Sequence, residues 1–321
     1  MEELLNEWYS SLRLSGKCKP GSSTWEIYRR WIEDFVRTTG VGLEDLLKLA
    51  KEGKLKPVLA QYALNLEERG LSVNTRAQAI AAIKSFLSHH NVFIKFPVPT
   101  QEPMPKAPLE PEPIRRLCEA LAERSGRVKA GAVKAAVLAF ILVAKDSGLS
   151  ISTLLSLTWE GGAPYHEPIR DQLAGERMPI HVRVRRAKTG VVHDSFIGPE
   201  GAWGLRNLLS YLRKKPKDAE GPLFPLDRKD VYMMMYKYSK RLGRLITPKD
   251  LRKFFITRMK MARIPDLHPA AWDVMVEHMA EHAVSRVQRA YFLISPDVLK
   301  KYYMESYDAI RIGYPPDLPR A

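Results

Sequence analysis

Apolar positions recur along the first part of the chain with the spacing of a helix. Trp25, Tyr28, Trp31, Ile32 and Phe35 fall three and four residues apart behind Ser23 and Thr24, residue types that cap helix starts. A second stripe, Ala79, Ile80, Ile83, Phe86 and Leu87, follows the turn-rich Gly70-Leu-Ser-Val-Asn-Thr75. Together they predict a bundle of four or five helices over residues 1–94. The pattern then breaks, because residues 95–113 carry prolines at 97, 99, 103, 105, 108, 111 and 113. Each proline fixes φ and lacks an N–H, which predicts an extended linker. Helical spacing resumes at about 111–125 and 130–146. Ile180-His-Val-Arg-Val-Arg185 then alternates apolar and basic residues, Lys188-Thr-Gly190 supplies a turn and Val191 to Ile197 returns, which predicts a β-hairpin with Arg183, Arg185 and nearby Arg186 on its outward face. Further helices are expected at about 200–214, 228–243, 248–262, 270–279, 283–291 and 296–309. The fold class is mainly α with a small β-sheet, in two domains, 1–94 and 114–321, joined by the 95–113 linker.

Composition narrows the function. The 321 residues are 45% hydrophobic and 9% aromatic, too apolar for a disordered polycation, yet the formal net charge is +15. Residues 1–98 account for +3 of it and the remainder for +12. A folded surface with that excess suits a polyanion, and nucleic acid is the usual one. The two cysteines, Cys18 and Cys118, are too few for a disulfide framework or a four-cysteine zinc site, so a reducing compartment is expected. The acidic, amphipathic start lacks the form of a signal peptide. The longest apolar run, around 130–144, is interrupted by Lys134 and falls short of the roughly 20 residues that span a bilayer, so no membrane association and a cytoplasmic location are expected.

Three constellations carry candidate chemistry: Lys188 in the hairpin turn, Thr247-Pro-Lys-Asp-Leu-Arg252, and His282 followed nine residues later by Tyr291. Taken singly they read as a solvated lysine, a basic helix start, a capping histidine and a core aromatic. In this order they resemble the tyrosine recombinase (phage-integrase) family, of archaeal type, over nearly the whole chain. Thr24 to Phe35 and Gly70 to Phe86 look like the two most recognisable helices of its N-terminal core-binding (SAM-like) domain. Ser147-Gly-Leu-Ser-Ile-Ser-Thr-Leu-Leu-Ser-Leu-Thr-Trp159 looks like the first catalytic box, Lys188-Thr-Gly like the hairpin lysine, Lys249-Asp-Leu-Arg252 like the second box, and His282 with Tyr291 like the third box and nucleophile. Tyr291 to Tyr303 is similar to the tails of archaeal members.

The resemblance implies a helical core-binding domain and a mixed α/β catalytic domain closing as a C-shaped clamp on double-stranded DNA. It implies a site-specific recombinase or integrase of a mobile element, associated with the nucleoid, a homotetramer on DNA and a monomer or dimer when free, with no cofactor and no metal. Tyr291 is the implied nucleophile that forms a 3′-phosphotyrosyl link, and Arg252 holds the phosphate oxygens through its fork of donors. Lys188 is the general acid toward the leaving 5′ oxygen, and His282 and Lys249 donate further hydrogen bonds. Lys249 stands where the family more often has histidine. DNA contacts fall to Arg183, Arg185, Arg186, Arg76 and Lys84. The family's first box reads Gly-Leu-Arg-x-x-Glu/Asp, and here Gly148, Leu149, Ser150 and Thr153 stand in those places, so the first arginine and its acidic neighbour are both absent. Such an arginine is worth about 10³–10⁵ in rate. A second reading is therefore a recombinase-fold protein that binds DNA with cleavage impaired, unless Lys145, Arg286 or Arg289 fills the vacancy. A remote third comes from His278-Met-Ala-Glu281-His282, which matches the H-x-x-E-H pattern of a zinc protease. His278 rivals His282 for the third box, Tyr302 and Tyr303 rival Tyr291, and Met233-Met-Met235 reads as core filling.

Overall fold

The computed structural model describes residues 2–16, 18, 23–100, 107–123, 128–162, 167–186, 190–282 and 295–317. The chain divides into two compact units, Met1–Lys106 and Ala107–Ala321, each with its own hydrophobic core. The expected mainly helical chain with one small sheet is what is observed. Among the described residues no helix is long and apolar enough to cross a membrane.

The first unit is a bundle of α1 (Glu2–Leu14), α2 (Ser23–Thr39), α3 (Leu43–Lys51), α4 (Leu55–Glu68) and α5 (Val73–His89). Both predicted stripes face inward: Trp31, Ile32 and Phe35 of α2 and Ala79, Ile80, Ile83, Phe86 and Leu87 of α5 are buried with Trp8 and Tyr62. Ser72 starts α5 by accepting the Thr75 N–H at 3.2 Å, a cap that satisfies a donor the helix itself cannot. Buried Asp34 ties α2 to α4, accepting from the Tyr62 hydroxyl at 2.9 Å and from Arg69 Nη1 at 2.9 Å. Two cations expected to face DNA also bond within this unit. Arg76 Nη1 pairs with Glu67 at 2.8 Å, and Lys84 Nζ donates to the Phe96 carbonyl at 3.3 Å.

The second unit opens with α6 (Pro111–Ala122). Pro111 and Pro113, where the expected linker and the expected helix at about 111–125 overlap, sit in its first turn, where a missing N–H costs nothing because that donor has no intrahelical partner. Next come α7 (Val128–Ser147), α8 (Ile151–Ser156), α9 (Ile169–Ala174), β1 (Ile180–Arg185), β2 (Val192–Ile197), α10 (Pro199–Tyr211), α11 (Arg228–Arg241), α12 (Pro248–Met261), α13 (Pro269–Met279) and α14 (Pro296–Glu305). The strands pair antiparallel from Ile180↔Ile197 to Arg185↔Val192. The helix expected at 283–291 lies outside the described residues.

The centre is α7, whose residues 135–147 are all buried and which packs on α6, α10, α12 and β2. A helix apolar on every side belongs inside a protein, which accounts for the long apolar run of the sequence. Its last turn carries charge inward. Lys145, fully buried, pairs with its neighbour Asp146 and with Glu200 at 2.6 Å, and donates to the Ile310 carbonyl at 3.2 Å. Glu200 in turn accepts the Ile312 and Tyr314 N–H groups at 3.1 and 2.9 Å. Asp146 Oδ2 accepts the Gly201 N–H at 2.8 Å. Burial works to lower the Lys145 pKa, but the two carboxylates outweigh it and hold the ammonium above its usual range. Lys145 is thus a fastener of the fold and is not available to replace the first-box arginine.

Removing one member of a buried ion pair costs about 3–5 kcal/mol, because the other is left charged and dry. Lys145→Met is expected to destabilise the second unit by that order in urea unfolding, with part of the loss recovered in Lys145→Met/Glu200→Gln. An unfolding midpoint equal to wild type would show that the buried charges hold nothing together.

Candidate functional site

Past Lys145 and Asp146, the chain turns sharply at Gly148, with φ of +62°. A Cβ there would meet the Phe255 ring at 2.3 Å, so only glycine lets the turn lie against α12. The turn delivers Ser150 as the N-cap of α8, its hydroxyl accepting the Thr153 N–H at 3.3 Å. α12 is itself fixed by a reciprocal cap. Thr247 Oγ1 accepts from Asp250 N–H, and Asp250 Oδ2 accepts the Thr247 N–H at 2.9 Å. That cap sets Lys249, exposed, in the first turn and Arg252, largely buried, one turn on.

These segments meet on one residue that the sequence did not single out for this role. Glu281, just past the end of α13, is fully buried and has φ of +56°, a left-handed conformation that costs a side-chain-bearing residue free energy. Its Oε2 accepts the Ser150 N–H at 2.7 Å and Arg252 Nη1 at 3.2 Å, and its Oε1 accepts the Thr153 hydroxyl at 2.5 Å. Its carbonyl accepts Arg186 Nη1 at 2.8 Å. Burial lowers the pKa of Arg252 and nearby Arg186 adds to this, while Glu281 opposes it. One residue therefore joins three segments: its carboxylate holds the start of α8 and Arg252, and its backbone carbonyl holds Arg186 at the end of the hairpin.

Beside this cluster His278 Nε2 accepts the Asp194 N–H at 3.1 Å, and His193 Nδ1 donates to the His278 carbonyl at 3.0 Å. His282, partly exposed, pairs with Glu277, which also holds Lys260. Burial works to raise the Glu277 pKa, but Lys260 and His282 bring it below its usual value. The three H-x-x-E-H residues thus bond to separate sets of partners. Among the described residues no group of three metal-ligating side chains forms.

The hairpin arginines, expected on one outward face, separate. Arg183 lies across from Asp194 in the strand register and bonds to it at 2.8 Å, Arg185 is exposed, and Arg186 turns to Glu281. Lys188, Tyr291, Arg286 and Arg289 lie outside the described residues. Of the rival tyrosines, Tyr303 is fully buried and donates to the Asp146 carbonyl at 3.0 Å, which removes it as a nucleophile, and Tyr302 is half-buried. The methionine run does not fill the core as a block: Met235 is buried but Met233 is 52% exposed. Met233 belongs with Tyr232 and Tyr236 to an outer face of α11, where Arg228 lies over Tyr232 at 5.7 Å and Lys240 over Tyr236 at 5.6 Å. The four-residue spacing of Arg228, Tyr232, Tyr236 and Lys240 was the sequence signal for this basic and aromatic face.

No family model matches the chain, and neither does any curated protein. Solved structures do. The Tn1549 transposon integrase in complex with transposon right end DNA matches with a TM-score of 0.55 at 19% identity, over 94% of this chain and 98% of that one. The same integrase with a circular intermediate DNA matches with a TM-score of 0.52 at 20% identity, over 95% and 99%. The chain is similar to these in fold.

Burial, with His278 adding to it, pushes the His193 pKa down to about 4, whereas an unfolded histidine titrates near 6.5. The unfolded chain thus binds the extra proton, so this contribution is complete above pH 6.5 and is lost as the pH falls to about 4, by roughly 3 kcal/mol in all. Urea unfolding of wild type and His193→Gln at pH 7 and 5 is expected to show a steeper acid loss in wild type. Equal slopes would mean that His193 is not the group being titrated.

Proposed function

We propose that the chain is a tyrosine recombinase that binds double-stranded DNA and breaks and rejoins it through Tyr291. The observation that carries this reading is the meeting of residues 150–153, 186 and 252 on buried Glu281, the first and third through its carboxylate and Arg186 through its backbone carbonyl. Those are the segments in which the family keeps its catalytic boxes, and the fold is shared with integrases solved on DNA. The net charge of +15 and the basic, aromatic face of α11 suit a nucleic-acid partner.

In this reading residues 1–94 are the core-binding domain, 95–113 the linker and 114–321 the catalytic domain. The Tyr291 hydroxyl oxygen bonds to phosphorus as its proton passes to solvent, the bond to the 5′ oxygen breaks, and Lys188 supplies the proton that the leaving oxygen takes. Arg252 holds the non-bridging oxygens, with Lys249 and His282 as further donors. The phosphotyrosyl link keeps the phosphodiester energy, so the 5′ hydroxyl of another strand can reverse the step. The protein works as a homotetramer on two duplex sites of a mobile element, at the nucleoid, and is of archaeal type.

One observation favours the second reading, a DNA-binding protein with cleavage impaired. Ser150 brings no charge, and the Glu281 carboxylate already occupies part of the Arg252 fork. A nicked duplex, chosen by selecting bound sequences from a random pool, separates the two. Wild type is expected to form a denaturation-resistant protein–DNA adduct that Tyr291→Phe does not form. Tight, salt-sensitive binding with no adduct would leave only the second reading.

A further inference from the structure

Ser150 cannot supply the guanidinium that its position has in the family, and Lys145 is committed to the core, yet a second guanidinium reaches the site from the hairpin. Arg186 lies one residue past β1. Its backbone is fixed by its own N–H donating to the Val191 carbonyl at 2.9 Å and by the Gly190 N–H donating to its carbonyl at 2.7 Å. Its side chain points at Glu281, donating Nη1 to the carbonyl at 2.8 Å, while Arg252 donates Nη1 to the carboxylate of the same residue at 3.2 Å. The two cations are close enough for Arg186 to disfavour the charge on Arg252. A guanidinium has five N–H donors in a planar fork. Among the described residues each of these two is seen to give one to Glu281, which leaves donors on both for one further anion. Two cations against one buried carboxylate leave a net positive charge, and a phosphodiester carries the single negative charge that balances it.

We propose that Arg186 is the second phosphate-binding arginine of this site, acting with Arg252 on one phosphate group in place of the charge that Ser150 lacks, with Glu281 as the positioning residue behind both. This rests on the recombinase reading for its substrate, DNA, but the site itself is a property of the free protein. The Ser150 N–H and the Thr153 hydroxyl anchor the Glu281 carboxylate from the first-box side, so the acid that a first box normally carries has its counterpart in a different segment.

Titration of the full chain with inorganic phosphate at low ionic strength, read by calorimetry, tests the site without DNA. Saturable binding to wild type is expected, weakened at least about tenfold in Arg186→Gln, which keeps an N–H for the Glu281 carbonyl but loses the charge. Arg186→Lys should fall between, and Lys214→Ala, which removes an exposed cation elsewhere, should match wild type. Ser150→Arg added to Arg186→Gln should restore phosphate affinity, which a merely structural Arg186 would not allow. Thermal unfolding of each variant identifies any that fails to fold, and Arg186→Lys then carries the comparison. Phosphate affinity in Arg186→Gln equal to that of Lys214→Ala, or no saturable binding to wild type, overturns the proposal. On the nicked duplex, adduct formation should slow by about 10³-fold in Arg186→Gln with DNA affinity changed only a few-fold. Wild type that binds phosphate through Arg186 but never forms an adduct keeps the site and removes the cleavage reading instead.

Discussion

The second unit is organised around three charges sealed away from water. Lys145 sits between Asp146 and Glu200, and each carboxylate is completed by backbone N–H groups: Gly201 for Asp146, Ile312 and Tyr314 for Glu200. Charges in a dry interior are tolerated only when almost every donor and acceptor finds a partner. That requirement leaves little freedom. The end of α7, the start of α10 and the chain around residues 310–314 must meet in one arrangement, and the Tyr303 and Tyr307 hydroxyls close it by bonding to Asp146. Since the first-box turn follows directly at Ser147 to Ser150, the position of the candidate site is inherited from this buried ion cluster.

Glu281 performs at the site what the triad performs in the core. A left-handed backbone at a glutamate persists only where surrounding contacts over-determine it, and here four do: the Ser150 N–H, the Thr153 hydroxyl and the two arginines. Thr153, at a position where the resemblance implies an acid, donates its hydroxyl to the Glu281 carboxylate. In the proposed recombinase, the acid absent at position 153 has its counterpart in Glu281. The same proposal covers the arginine, with Arg186 of the hairpin in place of the charge absent at position 150.

How much of this the sequence could reveal depends on the range of the interaction. Local patterns were legible: the two helix stripes, the alternation in Ile180 to Arg185, and the Thr247–Asp250 spacing that starts α12, because each rests on neighbours within a few residues. The linker and helix readings overlapped at Pro111 and Pro113, because proline suits a first helical turn as well as an extended chain. Lys145 looked like a free cation because its burial is a property of the packed α7, and Arg183 looked outward because Asp194 finds it only through strand register. Glu281 appeared solely as part of a zinc pattern, since nothing local signals partners about 130 residues away. Of the implied catalytic set, Arg252, Lys249 and His282 fall among the described residues, and Lys188 and Tyr291 do not.

The carboxylate at the centre of the site bears on whether it works for or against phosphate. A mobile acid beside Arg252 would compete with DNA for the guanidinium. Glu281 is not mobile in that sense: it is fully buried, and two of its bonds, from the Ser150 N–H and the Thr153 hydroxyl, tie it to the start of α8. Leaving would strand the Ser150 N–H and the Thr153 hydroxyl without a partner, and a buried unsatisfied group costs about 1–3 kcal/mol. It therefore stays as a fixed counter-charge. In the proposed recombinase, a fixed counter-charge lets two guanidiniums stand together in a poorly solvated place before DNA arrives, at the expense of part of their pull on the phosphate. That trade favours a preorganised site with moderate affinity, in which most of the binding free energy comes from the basic surface outside it.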